Sequence, residues 1–504
     1  MVEGNFFCTL RDRAPEGSRR LLTDEQGRLH TYADLDRESA KYANALLGLG
    51  LKPGDRVSVQ IEKSVENLWL YLATLRAGLV FHPLNTAYSE QEMAYFLENA
   101  EPALVICDPR KEQDYRVLCD GLGILHLQTL DSCGGGSFAG LAAGQANQFD
   151  TVPRKFDDLA VLLYSSGTTG RPKGIMLTHE NLRSNAAVLV EQWGFTAEDV
   201  LLHCLPIFHV HGLFVALHCV LMSGASMEWL PGFDREKVRE RLPKCTVMMG
   251  VPTYYTRLLA DPDFDRAECS SMRLFISGSA PLLEETFNAF STRTGHTILE
   301  RYGMSETGMN SANPLQGERR AGTVGFPLPG TEIRICSANH EPVAEHDIGE
   351  IEVRGPNVFA GYWRMPEKTR EDFTDDGWFV TGDQGRIDEQ GYLAIVGRSK
   401  DMVITGGLNV YPKEVESLLN GMEGVAESAV FGVPDDDFGE AVVAAVVPEK
   451  GFRLDPDGVR LELAEQIAKF KVPKRIQLVA SLPRNTMGKV QKNLLRDGWA
   501  QPNV

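Results

Sequence analysis

Helical and strand patterns alternate along the first part of the chain. "TYADLDRESAKYANALLGLG" (31–50) has apolar residues at helical spacing and ends at glycine, and "DRVSVQI" (55–61) then has the composition of a strand. "ENLWLYLATLRAG" (66–78) and "PALVICD" (102–108) repeat that order. Because a helix is the usual connection between two parallel strands, the alternation predicts an α/β layer with a parallel sheet.

The pattern changes twice toward the carboxyl terminus. Short strands and turns dominate from residue 322 to residue 401, which predicts a β-rich subdomain, and a mixture of short helices and strands follows. A chain of 504 residues also exceeds what one hydrophobic core usually serves. We therefore predict an α/β fold with a large N-terminal domain, residues 1–399, made of α/β layers plus the β-rich subdomain. A small mobile α+β C-terminal domain, residues 400–504, follows a boundary near Gly397–Asp401.

Composition excludes some classes of partner. The formal net charge is −18 and the pI is near 5.2, which disfavours non-specific binding to nucleic acid or to anionic membranes. The nine cysteines are spread singly with no C-x-x-C pair, as in proteins of a reducing compartment. Neither a signal peptide nor a membrane-spanning apolar run is recognisable. We expect a cytoplasmic protein without membrane insertion.

A hydroxyl- and glycine-rich loop, "YSSGTTGRPKG" (164–174), follows the apolar run "LAVLLY" (159–164) and precedes a helix that Thr178 could cap. Its lysine, Lys173, stands two residues too late for a Walker A loop. The low-complexity segment 131–148 before it is predicted to be a loop. Hydroxyls and backbone N–H groups on such a loop can converge on an anion, whereas the alternative is a flexible surface turn. The candidate donors are Ser165, Ser166, Thr168, Thr169 and Lys173.

Histidines and cysteines cluster in a short span near the middle of the chain. Read as a strand, "HVH" (209–211) would place two imidazoles on one face, as zinc ligands require. No paired cysteine spacing supports a structural zinc site, so a metal-free arrangement is the alternative. The residues concerned are His203, Cys204, His209, His211, His218 and Cys219.

Five motifs occur in a familiar order: "YSSGTTGRPKG", "ERYGMSE", "GWFVTGD", "GRSKDMVITGGLNVYPKEVE" and "PRNTMGK". In motif and order the chain resembles the adenylate-forming superfamily, which contains acyl-CoA synthetases, luciferases and peptide-synthetase adenylation domains. The resemblance covers essentially the whole chain. It implies that a carboxylate is activated with ATP to an acyl-AMP, with release of pyrophosphate, before transfer to a thiol.

The same resemblance implies roles for individual residues. Lys489, Glu306 and Lys173 would be catalytic, with Glu306 and Thr168 holding Mg²⁺. Asp383 would accept the ribose hydroxyls and Tyr302 would lie against adenine. Lys400 would be the hinge, and Gly406 and Gly407 would line the coenzyme A path. The full set expected to bind ATP or AMP is Ser165, Ser166, Gly167, Thr168, Thr169, Gly170, Gly278, Ser279, Ala280, Arg301, Tyr302, Gly303, Met304, Ser305, Asp383 and Arg398.

Arg301 bears on the substrate. If Tyr302 faces the nucleotide, Arg301 lies beside the acyl site, where an uncompensated arginine would be costly. A short diacid would resolve the cost, because its second carboxylate could pair with Arg301, with Ser279 and His209 as further donors. The alternative is a structural salt bridge between Arg301 and Glu300 or another acid, with a small monocarboxylate as substrate.

The motifs around Arg301 and Lys489 are similar to those of malonyl-CoA synthetases, which implies malonate, with methylmalonate tolerated. The expected cosubstrates and cofactor are ATP, coenzyme A and Mg²⁺, and the expected partners are small molecules acting on a monomer or small homo-oligomer. Three other activities stay open: ligation of another short carboxylate, loading of a carrier protein, and a luciferase-like oxidation. A non-catalytic adenylate-binding protein is a further alternative, which the intact lysines and Glu306 disfavour.

Overall fold

The computed structural model describes residues 4–165, 172–405, 408–435, 438–467, 469–485 and 488–499. The described helices are α1 (Phe6–Arg13), α2 (Tyr32–Gly48), α3 (Val65–Arg76), α4 (Glu90–Ala100), α5 (Glu112–Leu122), α6 (Ser137–Ala143), α7 (His179–Gln192), α8 (Leu217–Ser223), α9 (Arg235–Arg241), α10 (Pro252–Leu259), α11 (Glu284–Thr294), α12 (Pro366–Glu371), α13 (Pro412–Asn420), α14 (Pro456–Gln466) and α15 (Lys492–Trp499). A π-helical segment, His211–Ala216, runs directly into α8.

The described strands form four sheets. They are β1 (Arg20–Thr23), β2 (Leu29–Thr31), β3 (Arg56–Gln60), β4 (Val80–Pro83), β5 (Leu104–Cys107), β6 (His126–Thr129), β7 (Leu159–Tyr164), β8 (Gly174–Thr178), β9 (Val200–His203), β10 (Ser226–Trp229), β11 (Val247–Gly250), β12 (Leu274–Ser277), β13 (Leu299–Met304), β14 (Gly308–Ala312), β15 (Phe326–Pro327), β16 (Glu332–Cys336), β17 (Gly349–Arg354), β18 (Phe379–Ile387), β19 (Leu393–Arg398), β20 (Val403–Thr405), β21 (Leu408–Val410), β22 (Val425–Asp435), β23 (Gly439–Pro448) and β24 (Arg475–Leu478).

The alternating region at the start of the chain forms a six-stranded sheet in the order β6-β5-β3-β4-β7-β8. Its strands pair in parallel except for the hairpin of β7 and β8, as the alternation predicted. Thr178 caps α7 in a capping box with Asn181, which confirms the cap predicted there. The prediction of a loop over 131–148 is wrong in part, because α6 forms inside it and buries Phe138 and Ala142.

A nine-stranded sheet carries the middle of the chain, in the order β15-β14-β13-β12-β11-β9-β10-β1-β2. The strands from β10 through β9, β11 and β12 to β13 are parallel, so their carboxyl ends meet at one edge. The largest hydrophobic core joins this sheet to the six-stranded one and includes the fully buried side chains Trp193, Tyr71 and Phe81. The two layers therefore pack as one body.

Two smaller sheets complete the fold. The β-rich segment forms an antiparallel sheet in the order β16-β17-β18-β19. The C-terminal part forms a five-stranded sheet, β21-β20-β23-β22 with β24 added to β23, and has a core of its own around Val430, Val442 and Leu463. The α/β architecture with a small α+β part at the end is confirmed. No helix in the described ranges is both long and apolar enough to cross a bilayer.

Candidate active site

Three parallel strands of the nine-stranded sheet end at the same edge and deliver most of the candidate residues. The segment after β9 leads to the two histidines of "HVH", the segment after β12 begins at Gly278, and β13 carries Arg301 on its interior and leads to Glu306. Ligands of parallel sheets bind at this edge. The topology therefore brings together residues that are far apart in the sequence.

Arg301 is buried at this edge and forms no salt bridge with a described acid. The residue is 4% exposed, and its Nε and Nη2 atoms have no hydrogen-bond partner among the described residues. The adjacent Glu300 projects to the opposite face of the strand, where its Oε1 accepts a 3.1 Å hydrogen bond from Leu282 N. Within the described ranges no carboxylate forms a salt bridge with Arg301. The alternative of a structural salt bridge with Glu300 or another described acid is therefore wrong.

The guanidinium of Arg301 lies directly against the backbone of Gly278. A Cβ atom at Gly278 would come within 2.4 Å of Arg301 Cζ, so glycine is required for this close approach. Burial lowers the pKa of Arg301 to about 10, opposed by Tyr255 and Glu300, and the group stays charged at neutral pH. A buried cation with two donors lacking described partners is suited to an anionic ligand.

Ser279 lies between Arg301 and the histidines. Its φ of 70° is left-handed, a conformation that is strained for a non-glycine residue and common at binding sites. Its Oγ is 3.2 Å from Nδ1 of His211, whose Nε2 is buried without a hydrogen-bond partner in the described structure. Ser279 and His211 thus form a polar pair next to the arginine.

His209 and His211 are both neutral at physiological pH. Burial lowers the pKa of His209 to about 3, with further contributions from Lys489 and Arg301, and burial followed by Arg301 shifts the pKa of His211 well below its ordinary value. Nδ1 of His209 accepts a 3.4 Å hydrogen bond from the backbone N–H of His211, so its proton is on Nε2. His209 can therefore donate a hydrogen bond to an anion.

The prediction that "HVH" lies on a strand is wrong. His211 begins the π-helical segment, whose six residues are all buried, and a helix buried on every side lacks the polar face that would reveal its period in the sequence. The described residues contain no group of three histidine, cysteine or acidic side chains that could hold a metal ion. Sequence reasoning assigned His211 only to that metal cluster and missed its contact with Ser279.

The residues predicted to hold the nucleoside form a connected network. The hydroxyl of Tyr302 donates a 2.6 Å hydrogen bond to Oδ2 of Asp383, and Arg398 Nε lies 3.0 Å from Oδ1. Asp383 and Arg398 face each other across β18 and β19, while Tyr302 comes from β13. The network joins the nine-stranded sheet to the β-rich sheet and orients the Asp383 carboxylate between them.

Replacement of Asp383 by alanine is expected to raise the KM for ATP roughly tenfold or more, because the ribose hydroxyls would lose a charged acceptor. The measurement is AMP release against ATP concentration. Asp376→Ala, which removes an exposed carboxylate on the turn before β18, is the matched control and should leave this KM unchanged. An unchanged KM in Asp383→Ala would mean that the ribose is held elsewhere.

Lys489 reaches the same cleft from the C-terminal part. The preceding Gly488 packs beside Thr253 of α10, where an added Cβ would lie 3.7 Å from Oγ1. The side chain of Lys489 is exposed to solvent. The protein around the cleft nevertheless desolvates its ammonium group in part, and this lowers the pKa of Lys489. Arg398 and Arg301 lower it further, whereas Asp383 and Glu306 raise it. Its charge is therefore within electrostatic range of the nucleoside network and of Arg301.

Glu306 and Lys173 are the other two charged residues of the cleft that were predicted to be catalytic. Glu306 is buried, and burial raises its pKa against the opposing effects of Lys173, Arg398 and Lys489. Lys173 Nζ lies 3.5 Å from Oδ2 of Asp372 and 4.0 Å from the centroid of the Tyr362 ring. The carboxylate of Glu306 thus faces three cations, an environment that a phosphate chain and its metal ion could enter.

Some predicted residues lie outside the described ones: Ser166, Gly167, Thr168, Thr169 and Gly170 of the loop, and Gly406 and Gly407 of the coenzyme A path. Ser165 is described, and its backbone N–H donates a 3.0 Å hydrogen bond to Lys173 O. Lys400 sits in a short 3₁₀ turn, Ser399–Asp401, between β19 and β20. This turn is the covalent link between the β-rich sheet and the C-terminal sheet.

The fold and the cleft define an enzyme that binds a nucleotide and a small acid between a large and a small part. The chain belongs to the AMP-binding enzyme family, whose model matches residues 11–363, and residues 414–489 match the AMP-binding enzyme C-terminal domain. Membership of the adenylate-forming superfamily is thereby confirmed. The predicted boundary after residue 399 falls between the two matched segments.

Similar curated proteins include ligases for different acids. A malonate–CoA ligase of Arabidopsis thaliana is 36% identical over 91% of this chain and 80% of its own length. The malonate–CoA ligase ACSF3, mitochondrial, of Bos taurus is 36% identical over 95% and 88%. A feruloyl-CoA synthase of an Amycolatopsis species is 35% identical over 92% and 93%. Overall identity alone therefore does not separate a diacid from an aromatic acid.

Two solved structures of one protein bear on the arrangement of the parts. ATP-bound MatB from Rhodopseudomonas palustris has a TM-score of 0.97 at 51% identity, covering 99% of each chain. Apo MatB from the same organism is 52% identical over the same 99% of each chain, but its TM-score is 0.87. Since the two structures are almost equally identical to this chain in sequence, the difference between their TM-scores reflects a difference in conformation. The arrangement described here, with Lys489 in the cleft, is the more similar to the ATP-bound form.

Proposed function

We propose that this chain is an AMP-forming malonate–CoA ligase. The observation that carries the proposal is Arg301, a buried cation at the acyl edge whose Nε and Nη2 have no described partner and which forms no salt bridge with a described acid. The relatives named malonate–CoA ligase and the structural likeness to MatB support the same substrate. A feruloyl group would bring no charge to meet this arginine.

The reaction follows in two steps. One carboxylate oxygen of malonate attacks the α-phosphorus of ATP, the bond from that phosphorus to the bridging oxygen breaks, and pyrophosphate leaves. The sulfur of coenzyme A then attacks the carbonyl carbon of malonyl-AMP, AMP leaves, and the thiol proton passes to water. The first step brings two anions together, so positive charge around the α-phosphate is the main requirement.

The residues of the cleft meet that requirement. Lys489 would lie against the α-phosphate and the attacking carboxylate, since its charge already interacts with those of Arg398 and Glu306. Lys173 would contact the phosphates that leave, and Asp383 would hold the ribose. The second carboxylate of malonate would take the two donors of Arg301, with Ser279 and the Nε2–H of His209 as further donors. Methylmalonate would keep all of these contacts.

Glu306 fits a magnesium ion, because a buried carboxylate facing Lys173, Arg398 and Lys489 is the kind of oxygen ligand that Mg²⁺ combines with phosphate oxygens. Thr168 is the second proposed ligand and lies outside the described residues. The ion would supply positive charge to the leaving pyrophosphate. The positive charge of Mg²⁺ would also favour the ionised form of Glu306, whose pKa burial raises.

The C-terminal part would move between the two steps. Lys489 occupies the cleft in the ATP-bound-like arrangement, so the segment with Gly406 and Gly407 must replace it before coenzyme A can react. Rotation about Lys400, in the turn that links the two parts, would exchange them. Glycines at 406 and 407 would let the backbone approach the pantetheine arm closely.

The test is the product analysis of a reaction with ATP, coenzyme A and single acids. Malonate should give malonyl-CoA, AMP and pyrophosphate in equal amounts, and acetate and ferulate should give little thioester. If malonate gives no thioester but another short acid does, the substrate assignment is wrong. If AMP forms only when a carrier protein replaces coenzyme A, the acceptor assignment is wrong. Oxygen consumption would instead indicate the luciferase-like activity.

Two further proposals concern the cellular compartment and the assembly state. We propose the cytoplasm from the nine cysteines, which are spread singly along the sequence with no C-x-x-C pair. Similar proteins from animals carry the word mitochondrial in their names. Localisation of a tagged chain in its own cells would decide between the two, and light scattering would give the assembly state, expected to be a monomer or a small homo-oligomer.

A further inference from the structure

A second buried cation, Lys63, lies behind the acyl site. It follows β3, is 8% exposed, and its ammonium nitrogen is surrounded by three acceptors: His203 Nδ1 at 2.8 Å, His203 O at 2.9 Å and Leu230 O at 2.6 Å. The ring of Trp229 lies 4.2 Å from the same nitrogen. No carboxylate within the described ranges forms a salt bridge with it. Burial of a charge without a salt bridge costs free energy, so such a lysine is unusual unless it has a structural or functional role.

The hydrogen-bond pattern shows which groups carry protons. Nε2 of His203 lies 2.9 Å from the carbonyl oxygen of Gly212, so it must donate and Nδ1 must accept. Lys63 therefore donates to Nδ1 as well as to both carbonyls, which needs all three protons of an ammonium. Burial lowers the pKa of Lys63 to about 7, and the nearby Cys204 acts against this shift.

All the donors of Lys63 are used within the protein. A cavity of about 60 Å³ lies beside the lysine, and its lining mixes apolar side chains such as Phe81 with the polar side chains of Glu62 and Asn67. Because the three protons already point at His203 and Leu230, the ammonium has none left for a ligand in that cavity. Its contacts lead toward His203 and Gly212 instead.

Gly212 belongs to the first turn of the π-helical segment. Its carbonyl accepts the backbone N–H of Leu217 as well as Nε2–H of His203. A Cβ atom at Gly212 would lie 2.0 Å from Pro206 O, so this turn is packed tightly against the chain that follows β9. The position of the turn is thus set by one glycine contact and by the bond from His203.

The same turn carries the histidines of the acyl site. His211, next to Gly212, meets Ser279, and the carbonyl of His209 accepts a 3.0 Å hydrogen bond from Leu213 N. A displacement of the turn by about 1 Å would move both imidazoles relative to Arg301. Displacements of this size weaken binding at sites that depend on the alignment of several groups.

We propose that Lys63 is a positioning residue for the acyl site, which acts through His203 and the Gly212 carbonyl to hold His209 and His211 where the second carboxylate of a diacid binds. This inference rests on the proposed function, because it assigns the histidines to malonate. It extends the site by two buried residues, neither of which touches the substrate.

The experiment compares Lys63→Met, His203→Phe and the double variant with wild type. Lys63→Met keeps the length of the side chain and removes its donors, and His203→Phe keeps a ring and leaves both carbonyl partners of Lys63. Each is expected to raise the KM for malonate roughly tenfold, with the KM for ATP and kcat changed less than about threefold. The double variant should resemble the single ones, because both substitutions break one chain of contacts.

Arg76→Met is the matched control. Arg76 is another buried cation, 4% exposed, which bonds to Asp36 O and Phe149 O, forms a 3.0 Å salt bridge with the Asp36 carboxylate and lies over the Phe7 ring. It should lower the thermal midpoint as Lys63→Met does but leave the KM for malonate unchanged. A loss of stability alone would therefore not produce the expected result.

Each outcome of this experiment either supports or overturns the proposed role of Lys63. A KM for malonate within about twofold of wild type in His203→Phe would overturn the proposal even if Lys63→Met fails to fold, as would additive effects in the double variant. If wild type makes malonyl-CoA and both single variants have the same KM for malonate as wild type, only the role of Lys63 is overturned. Wild type that makes no malonyl-CoA overturns the proposed function and this inference together.

Discussion

Lys489→Ala is expected to reduce the formation of malonyl-AMP about a thousandfold or more and to leave the second step nearly intact. The lysine is the charge that would lie against the α-phosphate, and preorganised charges at that place contribute most to such reactions. The position of Gly488 beside Thr253, in an arrangement similar to that of ATP-bound MatB, supports this proposed role of the neighbouring Lys489. Pyrophosphate release measures the first step, and conversion of supplied malonyl-AMP with coenzyme A measures the second.

Lys492→Ala is the control for this substitution. Lys492 lies three residues further on, at the start of α15, and pairs with Glu416 at 2.7 Å within the C-terminal part. It should keep both half-reactions. Equal loss of both steps in Lys489→Ala would contradict the division of labour, because the lysine would then serve thioester formation as well.

Arg301→Ala is expected to lower kcat/KM for malonate about a hundredfold or more while that for acetate changes little. Two charge-assisted hydrogen bonds to the second carboxylate of malonate would be lost, whereas acetate has no second carboxylate and never makes them. Arg301→Lys should recover part of the activity, since it keeps a charge but not the planar pair of donors. The KM for ATP should stay close to that of wild type.

The control for Arg301 is Arg273→Ala, at the start of the adjacent strand. Arg273 is an arginine with an evident structural partner, because it bonds to both oxygens of Asp199 at 2.7 and 2.8 Å. Its loss should cost stability without changing the preference between the two acids. If Arg301→Ala retains the malonate preference of wild type, the second carboxylate is bound by other groups.

Local features of the fold could be predicted from the sequence where neighbouring residues decide them. Thr178 caps α7 with its own side chain, and the helix–strand alternation of the first part follows from apolar spacing that each segment carries. Two predictions failed for related reasons. The glycine- and alanine-rich segment hides α6, and the π-helical segment at His211 is buried on all sides, so neither has a polar face to reveal its period.

The candidate site could be predicted as a set of residues but not as a set of contacts. The motifs named Arg301, Ser279 and His209 for the substrate, whereas the pair formed by Ser279 and His211 joins segments 68 positions apart. The same holds for Lys63 and His203, which are 140 positions apart and come from different sheets. Only the packing of the two sheets brings such residues together, and apolar periodicity does not specify that packing.

If the buried Arg301 selects a diacid, wild type enzyme should prefer malonate to acetate when both acids compete for the same site. Wild type enzyme would be given ATP, Mg²⁺ and limiting coenzyme A with equal concentrations of malonate and acetate, and the thioesters would be counted by mass spectrometry. We expect malonyl-CoA to exceed acetyl-CoA by about a hundredfold or more. Equal amounts of the two thioesters, or an excess of acetyl-CoA, would contradict it.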